Sequence, residues 1–161
     1  MMSAKLIFNP RNAQKTAKSI RRVKIVVGVL KGAMRDVDNG ETEKSVPVAP
    51  YAAMNEFGTE HIPPRPFLRN SIDAHGDEWR RLIAAGIRAR GVGRVESVLQ
   101  DVGHALVADV QQTIRDGHFT ELAEKTKEAK KRKGRPEPSA PLIDTASLIK
   151  SIAFEVRHES S

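Results

Sequence analysis

The chain has 161 residues, a length that suits a single domain with a self-sufficient hydrophobic core. It contains no cysteine, which excludes disulfides, thiolate metal sites and cysteine nucleophiles. Lysine and arginine outnumber aspartate and glutamate 27 to 20, for a formal charge of +7, so the field of the protein draws in polyanions or acidic surfaces. Residues 1–22 form a basic, polar segment in which 13–22 have only the thin apolar face of a helix. No apolar run here could serve as a signal-peptide core or a membrane span, so the expectation is a soluble, unexported protein with no membrane contact. One domain is expected over 23–158.

That domain opens on Val23-Lys24-Ile25-Val26-Val27-Gly28-Val29-Leu30, dense in β-branched residues and too short for a long helix. It reads as a strand buried on both faces. Gly32 and the stretch 36–43 supply turn chemistry, and Asn39-Gly40 is a pair that nucleates hairpins, although the residues flanking it are polar. Residues 50–57 predict a short helix stopped by Gly58. Ile62-Pro63-Pro64-Arg65-Pro66 excludes regular helix, and Pro66 suits the first turn of the next one. Phe67, Leu68, Ile72, Trp79, Leu82, Ile83 and Ile87 then mark one face of a helix to residue 90. Gly91-Val92-Gly93 breaks it. Val95, Val98, Leu99, Val102, Leu106, Val110 and Ile114 line a second helix stopped by Gly117, and the two helices pack as a hairpin.

The stretch 118–141 differs in composition. It holds the basic residues Lys125, Lys127, Lys130, Lys131, Arg132, Lys133 and Arg135, followed by three prolines in 134–141. This predicts a solvated short helix and then an extended, mobile linker. Three readings stand side by side: contact with DNA phosphates, docking on an acidic partner, or a merely solvated linker. Farther on, Asp144 or Thr145 suits the cap of a helix over 146–152. Ile152, Phe154 and Val156 alternate with polar or small residues in a half-buried strand that can pair with the first one.

Little in the sequence suggests catalysis. His61, His75, His104, His118 and His158 are scattered without metal-ligand spacing. The glycines at 28–32 and 91–93 lack the lysine and hydroxyl residue of a phosphate loop, and no serine occupies a nucleophile elbow. No cofactor and no metal is expected, and the chain reads as a non-enzyme. With one Trp, one Tyr and five Phe, it also lacks the stacking rings of a single-strand binder. A basic nucleic-acid-binding regulator remains the alternative that charge alone favours.

Two segments are distinctive. The first holds Tyr51, Ala52, Glu56, Phe57, Gly58 and Thr59, then Ile62, Pro63, Arg65, Pro66, Phe67, Leu68 and Arg69. The second holds Pro141, Leu142, Ile143, Asp144 and Thr145, then Leu148, Ser151 and Ile152. On structural grounds alone, Phe57, Phe67 and Leu68 turn inward, Asp144 caps a helix, and Arg65 points outward or bonds to a carbonyl. The order and spacing of the two segments resemble those of the tail-completion and minor-tail-component family of long-tailed bacteriophages, proteins like the lambda minor tail protein Z. The resemblance covers roughly 24–157. Ala146 replaces the usual glycine, which would make the turn there more helical.

The resemblance implies an α+β fold, a small antiparallel sheet packed against two long helices with extended mobile loops. It also implies a structural role in tail completion or head–tail joining, as a subunit of a homo-oligomeric ring in the virion tail or neck. The protein would be made in the host cytoplasm and would meet connector, neck and tail-tube proteins. Its basic surplus would face packaged DNA. Tyr51, Glu56, Phe57, Gly58, Arg65, Pro66, Phe67, Arg69, Leu142, Asp144, Thr145 and Leu148 would carry the assembly role, with the basic loop as a contact arm.

Overall fold

The computed structural model describes residues 23–30, 32–38, 43–135, 137–142 and 146–158. The possible helix at 13–22 and the caps expected of Asp144 and Thr145 lie outside the described residues. The elements follow in the order β1 (Val23–Val29), β2 (Met34–Asp38), β3 (Glu43–Pro47), α1 (Val48–Phe57), α2 (Phe67–Arg90), a 3-10 turn (Val92–Arg94), α3 (Val95–Asp116), α4 (Glu124–Arg132), α5 (Ser147–Ser151) and β4 (Ile152–His158). The fold is α+β: two small antiparallel ribbons packed against helices.

β1 pairs antiparallel with β4, from Val23↔His158 to Val29↔Ile152, the partnership that apolar alternation suggested. Ile25, Val27 and Val29 alternate towards the core. Phe154, opposite Val27, lies against Gly103 of α3, where any Cβ would collide with the ring. The strand is not buried on both faces as expected. Only Gly28 is fully buried, beneath Leu68, while Lys24 is exposed and Val26 half-buried. A two-stranded ribbon packs α3 on one face and gains only partial cover on the other.

β2 and β3 form a hairpin with Met34 opposite Pro47 and Asp38 opposite Glu43. Its turn lies outside the described residues. A main-chain bond from Val48 N–H to the Ala33 carbonyl (2.9 Å) ties the hairpin to the start of α1.

α2 and α3 form the expected helical hairpin. α3 contributes Val98, Val102, Leu106, Val110 and Ile114 to the core and packs on α2, β1 and β4. Spacings of three and four keep these residues on one stripe. On α2 the expected face is only partly covered. Phe67 is fully buried and Trp79 nearly so, with its indole N–H donated to Asp109 (2.7 Å), but Ile72 is 53% and Leu82 41% exposed. The neighbours of this 24-residue helix change along its length, from α1 at its start to α3 beyond. A single stripe therefore cannot face both.

The region after α3 departs furthest from expectation. α4 is a short basic helix, yet Lys130 is only 8% exposed, and its ammonium donates to the carbonyls of Glu137 (3.4 Å) and Ala140 (2.8 Å). Pro141 and Leu142 are buried, Leu142 in the core itself. The basic run is thus not uniformly solvated, because one long side chain gathers the carbonyls of the proline-rich stretch. α5 begins at Ser147 and ends at Ser151, where Ile152 turns extended into β4. Its N-cap is Ala146, at φ 56 in the left-handed region, so the turn is not more helical as expected.

Candidate functional site

The first distinctive segment is a clasp joining α1 to α2. α1 delivers Glu56 inward, 4% exposed. Its carboxylate accepts the main-chain N–H groups of Leu68 (2.9 Å) and Arg69 (3.2 Å). These belong to the first turn of α2, whose N-cap residue, Pro66, has no polar side chain to cap with. A carboxylate there also meets the positive end of the helix dipole. Arg69 completes the clasp, its guanidinium bonding the Glu56 carboxylate (3.0 Å) and the Glu56 carbonyl (2.5 Å).

Between the helices Gly58 adopts φ 78, and a Cβ there would meet the Ile62 carbonyl and the Pro64 nitrogen at 3.0 Å, so the tight bend admits glycine. Thr59 N–H donates to the Ile62 carbonyl (2.9 Å), and the Thr59 hydroxyl accepts from Ile62 N–H (3.1 Å).

Because Glu56 takes the inward position at the end of α1, Phe57 turns outward. It is 71% exposed, with the Arg69 guanidinium 5.4 Å from its ring centre. This corrects the expectation that Phe57 is a core residue. Phe67 is fully buried as expected, and Leu68 is half-buried. Phe57 borders an apolar groove of about 310 Å³ together with Val29, Ala52, Ala53, Phe67 and Leu68.

Arg65 is 5% exposed. Its N–H donates to the Asn55 carbonyl (2.6 Å), and its guanidinium donates to the carbonyls of Thr120 (3.0 Å) and Glu121 (3.3 Å). Of the two roles open to it, carbonyl bonding is the one observed. Burial lowers its pKa, and Tyr51 opposes the shift. Arginine titrates so high that the group stays cationic.

Tyr51, Asn55, Arg65 and Leu142 meet in one cleft between α1 and α4, with Arg35, Lys130 and Lys133. The first and second distinctive segments therefore come together here. Leu148, on α5, is buried in the same core, 2% exposed. Leu142 is itself left-handed, at φ 62. Of the basic residues, Lys125, Lys131, Arg132 and Lys133 are exposed, and Arg135 is half-buried. Lys127 bonds Glu121 (3.1 Å) and Glu124 (2.9 Å), contacts that raise its pKa.

Sequence reasoning missed Arg35, in a polar stretch with no periodicity to mark it, and the buried Asn55, whose side chain donates to the Tyr51 carbonyl (2.8 Å). Among the described residues no group of three or more histidines and carboxylates could hold a metal ion, and no helix is long and apolar enough to cross a membrane. Comparison with protein-family models, curated proteins and solved structures gives no match.

Proposed function

We propose that the chain is a structural virion protein of a long-tailed bacteriophage, a non-catalytic, ring-forming subunit in tail completion or head–tail joining. Its partners would be further copies of itself, the connector or neck, and the tail tube, with non-specific contact to packaged DNA. What supports this reading is the meeting of two segments far apart in the chain. Tyr51 and Arg65 of the first lie with Leu142 of the second in one cleft. A closed ring needs two different, complementary faces on each subunit. The exposed Phe57 and the basic face of α4 are the features such faces would use.

The test is genetic. Deleting the gene from its phage should leave DNA-filled heads and tails that fail to join, or tails left incomplete. A normal yield of infectious particles would remove the assembly role. The second reading, a nucleic-acid-binding regulator, is favoured by the exposed Lys125, Lys131, Arg132 and Lys133 clustered at α4. It requires duplex affinity that falls steeply with salt.

A further inference from the structure

We propose that the inner part of the cleft between α1 and α4 is an oxyanion-binding site, built to hold a phosphate or carboxylate group on the guanidinium of Arg35. The inference does not depend on the assembly role. This part of the cleft encloses about 220 Å³. Four of its described lining residues, Arg35, Arg65, Lys130 and Lys133, are cationic and none is acidic. The cleft continues outward past His61 to Glu121, but that carboxylate is bonded by Lys127. Cations converging in a partly enclosed space raise the local potential and concentrate anions there.

The four cations are not equivalent. Arg65 directs its guanidinium at the Thr120 and Glu121 carbonyls. Lys130 directs its ammonium at the Glu137 and Ala140 carbonyls, and Lys133 is engaged as well. Arg35 differs from them. Its guanidinium carbon lies 4.3 Å from the centre of the Tyr51 ring, a cation–π contact that accepts none of its hydrogens. Its Nε is buried and has no hydrogen-bond partner among the described residues. A buried N–H of a charged group is costly to leave unmatched, and such groups mark places where a partner belongs. A guanidinium presents a planar fork that two oxygens of a phosphate or carboxylate match. The wall opposite includes Leu142, whose left-handed backbone is strain of the kind that collects at ligand clamps.

Thermal unfolding of the full chain in inorganic phosphate, against chloride of equal ionic strength, tests the site when Arg35→Gln is run beside the natural protein.

Phosphate raises the Tm of the natural protein by several degrees more than chloride does, and Arg35→Gln abolishes the rise. Should Arg35→Gln not fold, Lys133→Gln, at an exposed position, must at least halve the phosphate response. The proposal is overturned if phosphate shifts the Tm of the natural protein no further than chloride does. It is equally overturned if the shift survives unchanged in the Arg35 and Lys133 variants.

Discussion

Ala146 holds a backbone conformation that an L-residue adopts at a cost of about 1–2 kcal/mol. Glycine at this position would relieve that strain and give back about 0.5–1 kcal/mol of it in chain entropy. Ala146→Gly should therefore stabilise the protein by about 0.5–1 kcal/mol, read from urea unfolding. A loss of stability would mean that the methyl group packs usefully at the head of α5. Single residues also mark where sequence reasoning reached its limit. Glu56 and Phe57 are neighbours at the end of a helix, about 100° apart around its axis, and only one can face inward. Hydropathy points to Phe57. The decisive fact is that α2 begins with Pro66 and needs a carboxylate from elsewhere, a requirement visible only when the two helices are seen together. Lys130 and Arg35 escaped for the same reason, since their partners lie on other elements.

At the level of elements, periodicity was a good guide wherever burial is one-sided and continuous. α3 and β4 were legible for this reason, whereas β1 was recognised by its β-branched residues and misread as buried on both faces. The β2–β3 hairpin was not legible, because its residues are polar and its strands are held by pairing with each other rather than by an apolar stripe. Gly103 of α3 meets Phe154 of β4 so closely that an added Cβ would collide with the ring. Gly103→Ala should cost about 1–3 kcal/mol by driving the helix off the sheet. In a Phe154→Leu background the same change should cost less than half as much, because the collision is specific to the ring. A double-mutant cycle by urea denaturation reads the coupling. Equal costs in both backgrounds would show that the helix, not the contact, rejects the methyl group.

For the whole molecule, the main dependence is on β4. It supplies the hydrogen-bonding partner of β1 and places Ile152 in the core. Truncation after Ser151 should abolish the cooperative urea transition followed by circular dichroism. A cooperative transition within about 1 kcal/mol of the full chain would put the sheet outside the cooperative unit. The five helices and the β1–β4 pairing were readable from the sequence, and the α+β class from the resemblance, but the cleft between α1 and α4 was not. It draws on β2, α1, the proline bend, α4 and Leu142, five separate stretches of chain, and no local pattern announces such a meeting.

The pairing of β1 with β4 also has a consequence in time. During synthesis the ribosome releases Val29 long before Ile152, its partner in the ribbon. At roughly 5–20 residues per second the first strand waits on the order of ten seconds for the second. In that interval α2 and α3, whose contacts are local, are free to form first. Meanwhile the β-branched run Ile25–Val29 stays unpaired in a crowded cell. The nascent protein is therefore most vulnerable to chance association just before its last strand appears, and chaperone protection is needed most over that window.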